Sequence, residues 1–96
     1  MIATEKEEKA LYECYVRLYE NSTPKADFNK LLEEADEDEN GMKVIDFMSY
    51  EIEEDKFNDI LEQVITEYKI KPKYKAQAFR NAIYLGASPK FKKENE

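Results

Sequence analysis

Between Glu53 and Lys69 the apolar side chains Phe57, Ile60, Leu61, Val64, Ile65 and Tyr68 recur at intervals of three and four, which lines them along one face of an α-helix. A helix of this kind must be covered, because packing of its apolar face stabilises it more than its own backbone does. The cover starts next door. After the short link Lys69-Ile70-Lys71-Pro72, a second helical pattern runs from Pro72 to about Leu85, with Tyr74, Ala78, Phe79, Ala82, Ile83 and Leu85 as its apolar set. Gly86 and then Pro89 stop it. A link this short makes the two helices antiparallel neighbours.

Two more helices are expected upstream. Thr4-Glu5-Lys6-Glu7 reads as a capping box, with the hydroxyl and the carboxylate each satisfying a backbone N–H that has no helical partner. The helix it opens runs to about Asn21, turns Leu11, Cys14, Tyr15 and Leu18 inward, and widens that face with Tyr12, Val16 and Tyr19. Thr23-Pro24 reads as the cap and first turn of a second helix, with Phe28, Leu31, Leu32 and Ala35 inward. That helix is expected to run through Glu33, Glu34, Asp36, Glu37, Asp38 and Glu39 and to close at Asn40-Gly41. From Met42 to Ile52 the apolar residues Val44, Ile45, Phe47, Met48, Tyr50 and Ile52 fit neither the helical nor the strand period. A strand there finds no convincing partner elsewhere, so an extra short helix at about 43–51 is preferred. With only two glycines and three prolines in 96 residues, the fold class is all-α, a small bundle of four main helices. Residues 1–96 are expected to form a single helical domain, with 87–96 a charged, flexible tail.

The residue inventory narrows the chemistry. The chain has no histidine to act as a base near neutral pH, and Ser22, Ser49 and Ser88 stand in no nucleophile motif. Cys14 is the only cysteine, which rules out an internal disulfide or a thiolate cluster, and its inward position suits a small buried hydrophobe. Neither Gly41 nor Gly86 has the second glycine of a phosphate-cradling loop. Asp36 to Gly41 resembles the opening half of an EF-hand calcium loop, but Lys43 and Phe47 stand where an apolar residue and the bidentate glutamate are required. A non-enzymatic protein with no catalytic residue, cofactor or metal is therefore expected. The start of the chain lacks the pattern of a secretory signal, and no stretch approaches the ~20 apolar residues that span a bilayer, so a cytoplasmic protein without membrane contact is expected.

Charge carries what functional signal there is. Residues 1–68 hold 20 acidic and 7 basic side chains, net −13; residues 69–96 hold 2 and 8, net +6. The acidic candidates for partner binding are Glu33, Asp36, Glu37, Asp38 and Glu39. A surface of this kind suits a basic protein partner, including the basic groove of an enzyme that handles nucleic acid, where helical carboxylates stand in for phosphates. The basic candidates are Lys71, Lys73, Lys75, Arg80, Lys90, Lys92 and Lys93, interleaved with Tyr74, Phe79, Tyr84 and Phe91. On a helical pair that loosely resembles a helix-turn-helix, they supply the alternative of a nucleic-acid-binding module. As read here, each cluster also occupies the helix end where the backbone dipole disfavours its sign, at about 0.3–1 kcal/mol per charge. If the clusters pair within the fold, the split is a structural device; if they do not, both point outward to partners.

Overall fold

The computed structural model describes residues 5–45, 49–86 and 88–92. Among them the chain is mostly helical and also carries two small two-stranded sheets. The expected helical bundle therefore stands in its coarse form, and the purely all-α form is corrected.

Helix α1 spans Glu5–Glu20 and turns Ala10, Cys14, Leu18 and Tyr19 fully inward, with Leu11 and Tyr15 half-buried beside them. Thr4 of the capping box lies outside the described residues. Helix α2 is shorter than expected, Phe28–Glu34, and its cap is Asp27, whose carboxylate accepts from the Asn29 N–H at 2.9 Å. Thr23 does not cap it. A residue before proline is driven toward extended backbone, and Thr23 uses that conformation to exchange two backbone hydrogen bonds with Glu51, at 2.7 and 3.0 Å. Phe28 is the inner anchor of α2, packed among the rings of Tyr12, Tyr15 and Tyr19 at 5.3–5.7 Å.

The acidic run is not helical beyond Glu34. Asp36–Glu37 forms β1 and Lys43–Val44 forms β2, antiparallel, with Asp36 opposite Val44 and Glu37 opposite Lys43. Two local effects favour the hairpin. Continuing the helix would stack acids on the negative end of its dipole. Asp38 also offers the backbone an alternative partner, its Oδ1 accepting from the N–H groups of Asn40 (2.8 Å) and Met42 (3.0 Å). Gly41 does adopt the left-handed conformation, φ 77°, but it turns a hairpin and does not close a helix.

The expected extra helix at 43–51 is also corrected. Its first residues belong to β2, and Glu51–Glu53 forms strand β3; Asp46, Phe47 and Met48 lie outside the described residues. The partner of β3 is Lys90–Lys92, strand β4, which runs parallel with Glu51 opposite Lys90, Ile52 opposite Phe91 and Glu53 opposite Lys92. Residues 88–92 are thus built into the fold where a free tail was expected, and Ser88 and Pro89 are buried.

Helix α3, Glu54–Glu67, buries Phe57, Ile60, Leu61 and Val64 at the centre of the core, as its spacing predicts. It ends without glycine. Lys69 takes the left-handed conformation, φ 50°, its N–H donates to the Thr66 carbonyl (3.2 Å), and the Ile70 N–H reaches back to Ile65 (3.0 Å), with Ile70 buried. Helix α4, Lys73–Leu85, then runs antiparallel to α3, joined to it by Arg80 on Glu62 and by the Tyr84 hydroxyl donating to Asn58 Oδ1 at 3.3 Å. Its inner face is narrower than expected. Phe79 and Ile83 are buried, whereas Tyr74 and Leu85 are 69% and 88% exposed. Alongside α1 it runs in the same sense, with Lys75 beside Glu7 and Gly86 against the Tyr15 hydroxyl, where a Cβ would overlap that oxygen. At the far end Phe57, Tyr84 and Phe91 form a mutual cluster, centroids 4.4–5.3 Å apart, that clamps β4 onto the α3–α4 pair.

Candidate interaction surfaces

The acidic candidates sit on the α2–β1 corner and the hairpin that follows it. Glu33 is exposed in the last turn of α2, Asp36 and Glu37 are exposed on β1, and Glu39 is exposed in the turn. Asp38 is different. Its Oδ1 takes the two backbone N–H groups that shape the loop, so its first role is to fold the hairpin. Lys43, the cation of this element, is drawn back to the Ala35 carbonyl at 3.2 Å and does not neutralise the acids. Beside them Met42 and Val44, two residues apart and so on one face, are 66% and 56% exposed.

The basic candidates do not act as one patch. Lys75 Nζ lies 3.9 Å from Glu7 Oε1, in the acidic first turn of α1 formed by Glu5, Glu7 and Glu8. Lys75, in the positive first turn of α4, is thereby offset by an acid placed at the favourable end of α1. Arg80 is engaged by Glu62. Lys90 falls opposite Glu51 and Lys92 opposite Glu53 in the register of the parallel ladder. Lys93 lies outside the described residues. Lys71 and Lys73 remain, exposed at the entry to α4 with Tyr74 beside them and without a partner among the described residues.

The aromatics proposed to interleave with these cations are mostly spoken for. Phe79 is in the core, and Tyr84 and Phe91 pack on Phe57. Tyr74 is the most exposed of the four, at 69%. Among the described residues no salt bridge joins Asp36–Glu39 to Lys71–Lys75. Among the described residues the two clusters that define the charge split are not each other's partners, and two of the basic side chains, Lys75 and Arg80, are taken up by acids of α1 and α3.

Two other features bear on chemistry. Cys14 is wholly buried, and desolvation pushes its thiol up to about 12, only partly opposed by the nearby Arg17 guanidinium. Arg17 ties α1 to the last turn of α3. Its Nη2 donates to Glu67 Oε1 at 3.0 Å, its Nη1 meets Oε2, and its Nε donates to Glu13 at 3.0 Å. The bidentate hydrogen bond holds the Glu67 carboxyl below its usual range and raises the guanidinium further. A groove of about 400 Å³ runs along α1, lined by Glu5, Glu8, Lys9, Tyr12, Glu13 and Tyr68. Glu5 and Glu13 face Lys9 (3.4 Å) and Arg17 (3.0 Å), so two of its three carboxylates are already paired.

No helix among the described residues is long and apolar enough to cross a membrane. In comparison with known proteins, the chain matches no family model, no curated protein and no solved structure.

Proposed function

We propose that this chain is a non-enzymatic binding protein that docks the acidic β1–β2 hairpin and the adjoining end of α2 on a basic macromolecular partner. One observation carries the reading: Glu33, Asp36, Glu37 and Glu39 are exposed and lack an ion-pair partner among the described residues, while Lys75 and Arg80 are matched to acids within the fold. Retaining unpaired like charges on one short element does nothing for stability and favours association with an oppositely charged surface. Asp36, Glu37 and Glu39 are the contact residues, and Asp38 sets the turn that presents them. A basic protein groove that handles nucleic acid is one such surface, the carboxylates standing in for phosphates.

The test is retention of cell-extract proteins on the immobilised full chain, compared with E37K/E39K at low and at physiological salt. A protein held by the parent and lost by the variant, with retention weakened by salt, supports the reading. Equal, salt-sensitive retention of the same proteins by both chains overturns it. Direct binding of DNA or RNA with a steep salt slope that vanishes in K71E/K73E also overturns it, in favour of a nucleic-acid module on the basic corner.

A further inference from the structure

We infer that the exposed face of the β1–β2 hairpin docks on the Lys71–Lys73–Tyr74 corner of a second copy of this chain. The inference rests on the hairpin being a docking surface and goes on to name its occupant. Two patches of matching chemistry are left open on one molecule. The hairpin presents Met42 and Val44, 66% and 56% exposed, beside the unpaired acids Asp36, Glu37 and Glu39. The corner presents Tyr74, 69% exposed, beside the unpaired Lys71 and Lys73. Each patch thus combines an apolar centre with charges of one sign, and the signs are opposite.

The apolar parts match as well. Tyrosine suits the role of an anchor, bringing large contact area at small cost in conformational entropy. Methionine is the residue best able to reshape around it. Burying Met42 and Val44 against Tyr74 would also cover the open face of a two-stranded hairpin, which otherwise leaves its backbone and apolar side chains to water. Among the described residues Lys71, Lys73 and the hairpin acids form no ion pair with one another, and Met42 and Val44 stay exposed.

The net charge of −7 on each chain opposes the approach of two copies at long range. That repulsion is screened over about 8 Å at physiological ionic strength, whereas charges in contact across the interface are felt at closer range. The mass of the full chain, 11.4 kDa as a monomer, should therefore be followed by sedimentation equilibrium near physiological salt. Concentration-dependent association is expected, weakened at least about tenfold by E37K/E39K and by K71E/K73E, each taken alone. An equimolar mixture of the two variants restores it, because each reversed patch meets a reversed partner. Circular dichroism of each variant separates lost association from lost fold.

A parent chain that stays monomeric at the highest soluble concentration overturns the inference, as does association that survives both reversals. Loss of extract retention by E37K/E39K in a strictly monomeric protein removes the second copy as occupant and leaves the broader docking function standing. Association of the parent without any extract partner supports the inference and makes the second copy the basic partner itself.

Discussion

Replacing Phe91 by alanine removes the side chain that holds β4 on the end of the α3–α4 pair, and the cost can be worked from its contacts. Phe91 is 38% exposed, so a little over half of its ring is withdrawn from water. Full burial of a phenylalanine is worth about 1.5–3 kcal/mol, and this partial burial about 1–2 kcal/mol. Its edge-to-face contacts with Phe57 (4.4 Å, 83°) and Tyr84 (5.2 Å, 71°) add about 1 kcal/mol together, since one ring serves both. The total is about 2–3 kcal/mol, a large fraction of the stability of a domain this small. Urea unfolding of Phe91→Ala followed by circular dichroism measures it, with Lys90→Gln as the control that keeps the strand and changes stability by under about 0.5 kcal/mol. Hydrogen exchange adds the local signature: the amides of β3 and β4 should lose protection before those of α3. A loss under about 0.5 kcal/mol, or unchanged protection of Glu51–Glu53, would refute the parallel pairing as an integral part of the fold.

Three further outcomes are expected. Lys69→Gly should stabilise the chain by about 0.5–1 kcal/mol, because glycine accepts the φ of 50° without a Cβ conflict; a destabilised variant would show that the C-cap of α3 is not left-handed. Cys14 should react with a thiol reagent at pH 8 at least about a hundredfold more slowly than after unfolding, because a thiol pushed up to about 12 is almost wholly protonated there; equal rates would show that it is accessible. The Arg17–Glu67 pair should make stability depend on pH with a definite sign. The Glu67 carboxyl is held below its unfolded value, so the contribution is fully present above the usual glutamate range of about 4.3 and is lost as pH falls through the lowered folded-state value. Arg17→Met should flatten that acid limb in urea titrations between about pH 6 and pH 3, and an unchanged slope would remove the pair as its cause.

The readable parts of the fold are those where a local pattern and a tertiary demand coincide. Phe57, Ile60, Leu61 and Val64 could hardly face anywhere but a core, and the short link to Lys73 left α4 no choice but to fold back. Cys14 and Leu18 followed from the same spacing. The candidate acids were visible as composition, but their presentation was not. Reading Asp36 to Glu39 as a helix end missed the competing bonds from the Asp38 carboxylate to Asn40 and Met42, which a short polar side chain forms only once the helix has stopped.

The alternation Glu51-Ile52-Glu53 against Lys90-Phe91-Lys92 was in principle legible, as two three-residue stretches of opposite charge around an apolar centre. Either one alone is too short to be read as a strand. Sequence by itself determined the helical spacing, the split of charge and the absence of histidine, all properties of residues near one another or of simple counts. Tertiary structure decided which charges are used up: Lys75 on Glu7 and Arg80 on Glu62. Those pairings join residues far apart along the chain, and a Coulomb interaction depends on distance in space, so a charge count could not separate structural ions from those left facing outward.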